Sequence, residues 1–490
     1  MAIIGYDAKV GYKLEAVYGT PIAVGAGDQI LVSGMAPTDG KTFTPNDDEL
    51  VPGITRLAET RGQPTVPIAN LTPYYLGIDD IIAGFFGTMI SSTAQNSGLS
   101  SAKAREYGML SVPTASGTLV YCPLETPIDA DTIEIPACMV QSLDINGADG
   151  AECVMPVNML SYPRVRAGTN GATEVNALTF PRTNGQCGVM HFSHMALQLA
   201  RQDGTLAYQQ VMGFALSIGR SLTEDNQVTQ NSAGATMAQP VPGGKRVILL
   251  TLNLHSIADF EWLTARDQAA SYPWKAIMTF FDTRGCPGVS VSASSPGTDI
   301  TGIGVTADFG ISIDGVASAN VTLTTAGLNS GTLIAAAIQV AVRALASSVN
   351  ARYYKAYSEF TCDYNTTVAG KYHCKAGDHR GALSSAVIIA GALADCAATL
   401  KLGVANGGTE HVGIYNMARG YLPELWLTGS NPEAFQGPGV VRPQLAFRAG
   451  IGYGSSTPTG FTSADTYLTT DMSSEDIRWV TINELAADPI

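Results

Sequence analysis

Cys362 and Cys374 flank the segment NTTVAG, a spacing that lets two thiols face each other across a hairpin and form a disulfide. Around Cys374 the run YHCKAGDH adds His373, Asp378 and His379, all metal-ligand types. Neighbours in a strand project to opposite faces, so His373 and Cys374 do not share an ion. His191 and His194 lie three apart in an extended stretch and read as structural. Asn365-Thr366-Thr367 matches a glycosylation sequon, which carries weight only in a secreted chain. The remaining cysteines, at 122, 138, 153, 187, 286 and 396, form no C-x-x-C pair and read as small buried hydrophobes. No G-x-S-x-G, H-E-x-x-H or G-x-x-x-x-G-K-[ST] motif occurs, and GIGV and GVANGG do not open a helix after a strand. A facing pair of carboxylates for glycoside hydrolysis is left open by the sequence. The residues point away from an enzyme, and no cofactor or metal is expected.

The totals favour architecture. Only 14% of the 490 residues are charged, against about 25% in ordinary soluble domains, while 45% are hydrophobic. Such a chain is expected to bury uncharged surface against copies of itself. A net charge of −14 argues against gripping nucleic acid through phosphates, yet suits a wall past which DNA slides. No apolar run approaches the roughly 18–20 residues of a membrane span, and residues 1–20 lack a signal-peptide pattern. No membrane contact and a cytosol-like site of synthesis are expected.

The elements that would position these groups are mainly β (α+β), and one unit is written twice. In the first copy, strand Asp28–Ala36 precedes a long polar stretch and a helix at Ile78–Ile90. That helix carries Ile78, Ile81, Ile82, Phe85, Phe86 and Met89 on one stripe. Gly84 and Gly87 weaken it by about 1 kcal/mol each, so packing must hold it. In the second copy, strand Met212–Leu222, a polar loop and return strand Lys245–Leu254 lead to a helix at Ser256–Gln268. Ile248, Leu250, Leu252 and Leu254 alternate onto one face of the return strand. Hairpins are expected for Ala137–Asn146 with Glu152–Ser161, and for Val189–Leu199 with Thr205–Ala215. After Cys286 an α+β module follows: a strand pair turning at Asp314-Gly315, a helix at Thr332–Ser347, and Tyr353–Tyr364 against Lys371–Lys375. The last segment is loop-rich with a short helical end, SSEDIRWVTINELA. These signals divide the chain into 1–168, 169–286, 287–412 and 413–490, the last left either to complete the second unit after an insertion or to form a separate C-terminal segment.

The order GYKLEAVYGTP, QILVSGMAP, IDDIIAGFFG, then MVQSLDINGADGAECVMPVNMLS resembles the tail tube proteins of long-tailed, siphovirus-like bacteriophages. GFALSIGRSL…GGKRVILLTLNLHSIADFEWL resembles the same unit again. The block at about 307–412, with Ile313-Asp314-Gly315 and Leu402-Gly403, resembles a small surface module of flagellar hook-associated proteins, flagellins and phage tail proteins. The resemblance implies two tandem tube domains of β-sandwich or barrel type, each with a long hairpin and one packing helix, plus a decoration module. It implies a virion structural protein, assembled in the bacterial cytoplasm into stacked homo-oligomeric rings, a trimer favoured and a hexamer possible. Its partners would be the tape measure protein, the tail terminator and passing double-stranded DNA, bound without specificity. Asp39, Asp47, Asp48, Glu49, Glu224 and Asp225 are the candidates for an acidic lumen or for contacts between rings. Two alternatives stand beside this: another tail component (sheath-like, baseplate or terminator ring), or a host-surface-binding adhesin.

Overall fold

The computed structural model describes residues 9–38, 41–46, 56–61, 64–75, 77–95, 102–109, 115–124, 126–166, 168–180, 188–201, 204–220, 222, 228–231, 234–237, 239–240, 245–254, 273–365, 370–378, 380–430, 444–450, 461–462, 467–472, 475–483 and 488. With 49% strand and 15% helix it is mainly β.

The first half carries β1 (Lys9–Leu14), β2 (Gln29–Ile30), β3 (Val32–Met35), β4 (Lys41–Asn46), β5 (Arg56–Arg61), β6 (Thr65–Leu71) and α1 (Asp79–Phe86). Then come β7 (Gly87–Ala94), β8 (Lys103–Met109), β9 (Gly117–Cys122), β10 (Ile133–Ala148), β11 (Met155–Leu160), β12 (Val165–Arg166) and α2 (Ala172–Ala177). Antiparallel ladders arrange these as β2–β1–β9–β10–β11–β6–β3. The long β10 changes partner along its length: Ile133–Cys138 runs beside β9, and Met139–Leu143 beside β11. Ala137, at φ 57, sits in the register shift of the β9–β10 ladder between Ile135 and Cys138, just before that change of partner. The buried Glu15 carboxylate holds this break, accepting from Ala137 N–H at 2.9 Å and from the hydroxyls of Ser116 (2.6 Å) and Thr118 (2.8 Å). A buried carboxylate with several donors offsets its own desolvation and satisfies the kinked backbone.

The second half repeats the pattern. Its strands are β13 (Met195–Arg201), β14 (Ala207–Gln209), β15 (Val211–Gly219), β16 (Val228–Asn231), β17 (Gly234–Met237), β18 (Val247–Leu254) and β19 (Trp274–Cys286). An α+β segment then intervenes: β20 (Val289–Val291), β21 (Thr306–Ile313), β22 (Ala319–Thr324), α3 (Gly331–Ala344), α4 (Tyr354–Ser358), β23 (Thr361–Asn365), β24 (Lys371–Lys375), β25 (Ala386–Ala390) and β26 (Thr409–His411). The chain closes with β27 (Ile414–Ser430), β28 (Gln444–Ala449) and β29 (Arg478–Asn483). The ladders run β14–β13–β19–β27–β28–β18–β15. This is the first order again, with β27 in the place of β10. A small hairpin fills the long loop of each copy: β4 with β5 in the first, β16 with β17 in the second. Even the flanking strands correspond, since β12 pairs with the start of β10 as β29 pairs with β27.

The two arrays are welded by β10 and β15, whose residues Ser142–Ala148 and Gly213–Gly219 pair in register. One hydrophobic core runs beneath both, joining Ile82 and Phe85 of α1 to Phe214, Phe280, Phe447 and Trp479. The intervening segment has a separate core, in which Ile334, Ile338 and Val342 of α3 pack with Phe309, Ile311 and Tyr372.

Five sequence expectations need correction. The helix expected at 78–90 stops at Phe86, because Gly87 turns left-handed (φ 83) and the following residues pair with β8. Residues 353–358 are a turn and α4, so only Thr361–Asn365 faces Lys371–Lys375. Residues 192–194 form a 3-10 turn, and the expected hairpin narrows to Leu197–Leu199 with Ala207–Gln209. The expected C-terminal helix is strand β29, buried at every position. Both its edges are paired, to β27 and β8, and its β-branched and aromatic run fits that slot better than a helix surface. The helical stretch Gly331–Ser348 is also long and apolar enough to cross a membrane by composition, contrary to expectation. Here it is a core helix of the segment before β27.

Candidate assembly surface

Eight strands form one continuous surface in the order β3–β6–β11–β10–β15–β18–β28–β27. Alternation sends one set of side chains into the core and the other outward. On β18, Ile248, Leu250, Leu252 and Leu254 are buried, as their spacing predicted, while Val247 and Leu249 face out. Elsewhere across the sheet most outward positions are small or polar: Pro67, Ala69, Asn158, Ser142, Asn146, Ala215, Ser217, Thr251 and Ala446 are half-buried or exposed. A shallow groove of about 560 Å³ crosses β3, β6, β11 and β10, between Gly34, Pro67, Ser142 and Asp144. Counting β10 from Met139 and β27 from Leu422, these strands hold three charged residues: Asp144, Arg448 and Glu424. Glu424 is buried, so the outward face carries one carboxylate and one guanidinium.

The two ends of this surface are alike in an instructive way. On β10, the edge opposite β11 is taken by β15. On β27, Trp426–Ser430 ladder only with β28, and β19 reaches no further than Leu425. The edge of β27 that corresponds to the β15-bearing edge of β10 therefore has no ladder partner among the described residues. At the far end, β3 ladders with β6 alone among the described residues, whereas its counterpart β15 has both edges filled.

The joint between the arrays shows what such an edge contact needs. Arg220, just past β15, donates from Nη2 to the Phe86 carbonyl at 2.7 Å and stands 5.4 Å from the Phe85 ring centroid. A cation at a helix C-terminus is favoured by the exposed carbonyls there. Burial, with Arg246 nearby, pulls the Arg220 pKa down to about 10. Arg246 in turn donates to the Met109 carbonyl at 2.9 Å and pairs with Asp476 at 3.3 Å. No family model matches the chain, and comparison with curated proteins returns no relative.

Of the acidic residues singled out in the sequence, Asp39, Asp47, Asp48, Glu49, Glu224 and Asp225 all lie outside the described residues, as do the expected helix at 256–268, Cys187 and His379. Cys362 and Cys374 stand directly opposite each other. His191 and His194 share a 3-10 turn with ring centroids 5.9 Å apart, in place of the extended stretch expected for them. Among the described residues no group of three or more His, Cys, Asp or Glu gathers as for a metal.

Sequence reasoning missed the polar core. Asp79, fully buried at the start of α1, accepts from Tyr107 Oη (3.0 Å), Thr481 Oγ1 (2.6 Å) and Asn483 Nδ2 (2.7 Å). Glu106 and Arg478 form a buried pair at 2.5 Å. Asp80, beside Asp79, has its pKa raised to about 7 by burial, then by the charges of Asp79 and Asp28. Residues 478, 481 and 483 lie hundreds of residues from the acids they meet, and no local spacing announces them.

Proposed function

We propose that this chain is the tail tube subunit of a long-tailed bacteriophage: a virion structural protein with two tandem tube domains and the 287–412 module as decoration. The observation that carries the reading is the recurrence of one strand order in both halves, with β15 already docked on the edge of β10. A neighbouring copy's β3 would dock on Trp426–Ser430 of β27 as β15 docks on β10. Repeated around an axis, that step closes a ring and removes the open edges. Two units per chain suit three chains per ring. The nearly uncharged outward face of the eight strands then lines the bore, and a neutral wall gives DNA neither the counterion release nor the base contacts that make proteins stick. Assembly in the bacterial cytoplasm and capping by tape measure and terminator proteins belong to the same reading.

The edges give the test. Lysines on strand edges oppose pairing between chains. Ser33→Lys and Thr428→Lys should each leave a folded chain that sediments as a monomer under conditions where the unmodified chain forms rings. Rings of unchanged mass from both variants would contradict the proposed docking.

A further inference from the structure

We propose that Cys362 and Cys374 are a covalent modification site, closing into a cross-strand disulfide when the protein meets a hydroperoxide. The two residues are direct partners in the β23–β24 ladder, and their Sγ atoms touch at 3.3 Å. Directly opposed residues of antiparallel strands have Cα atoms about 4.5–5.5 Å apart, within the range of about 4.4–6.8 Å that a disulfide spans. Shortening the sulfur contact to about 2.0 Å thus takes side-chain rotation and no backbone movement. The surroundings hold the pair in place. Gln339 of α3 accepts from the Cys362 N–H at 3.1 Å, and the rings of Tyr364 and Tyr372 pack tilted against each other two residues further on, 5.0 Å apart. β23 is the outer strand of the sheet β23–β24–β20–β26, so the bond would fasten an edge strand to its neighbour.

Both sulfurs are buried, which favours a small oxidant. Hydrogen peroxide oxidises one thiol to a sulfenic acid and releases water. The facing thiol then attacks that sulfur, expelling the hydroxyl as a second water, so two thiols and one peroxide give one disulfide and two waters. The hydrogen bond that the Cys362 S–H shares with Cys374, then burial, raises the Cys362 pKa, so the reaction speeds up as pH rises from 7 to 9.

The full chain, purified under reductant and then treated with hydrogen peroxide, tests this by denatured thiol titration and peptide mapping under alkylation. The expected result is a loss of two of the eight thiols and a linked peptide pair joining Cys362 to Cys374, two hydrogens lighter than its parts. Cys374→Ala should instead leave a sulfenic acid at Cys362 that dimedone traps. Eight retained thiols, or sulfinic acid at either position in the unmodified chain, would overturn the proposal. The unmodified chain decides the matter even if the variant does not fold.

Discussion

Arg220 and Phe86 meet where the two strand arrays join: the guanidinium of one array donates at 2.7 Å to the last helical carbonyl of the other. The contact sits beside the β10–β15 ladder, so it clamps the same joint from below. Replacing Arg220 by Met keeps much of the apolar stem but removes the donor. A hydrogen bond to a charged group contributes about 2 kcal/mol, and Arg220→Met should lower the unfolding free energy by about that much. An unchanged denaturant midpoint would show that the β10–β15 ladder alone holds the joint.

Asp80 gives a pH dependence with a definite sign. Its pKa is raised to about 7 in the fold, chiefly by burial, above the ordinary 3.8. Between about pH 4 and 7 the folded state therefore keeps a proton that the unfolded state has already lost. The stability from the protonated carboxyl is complete below about pH 4 and is lost as pH rises through 7. Asp80→Asn removes the penalty. Relative to the unmodified chain it should gain about 2 kcal/mol at pH 8 and little at pH 4, after discounting for partial solvation. Equal stabilisation at both pH values would place the effect in packing.

The Glu106–Arg478 pair links β8 to β29, with Arg478 also donating from Nε to Glu475 at 2.8 Å. Removing one partner of a buried pair strands the other charge, at a cost of about 3 kcal/mol or more. Glu106→Gln should lower stability on that scale, and chemical denaturation checks it. A loss under 1 kcal/mol would mean that Arg478 finds enough compensation in Glu475 and Thr470.

The strand and helix signals that the two halves share were legible where they are local: the alternation over Lys245–Leu254 and the α1 stripe; the Asp314-Gly315 turn of the intervening segment, whose two residues take φ 52 and 73, was legible for the same reason. What was not legible depended on distant partners. RWVTIN alone reads as the end of a helix; only the slot between β27 and β8 makes it a strand. The helix after Ile78 was expected to continue past Gly87, since its apolar spacing does, but the left-handed glycine and the β8 partner end it. Likewise, Asp79 gives no sign that its hydrogen-bond partners include residues 481 and 483. The acids expected to line a lumen lie in the loops outside the described residues, while the strands between them present an almost neutral face.

Electron microscopy of the purified chain, with mass measurement of the particles, tests ring assembly itself. Closed rings of three chains are expected, stacking into hollow tubes whose inner wall is one continuous β-sheet and whose outside bears three projections per ring. A chain that stays monomeric at high concentration, or rings whose inner wall is not built from β3, β6, β10, β11, β15, β18, β27 and β28, would contradict the proposed assembly.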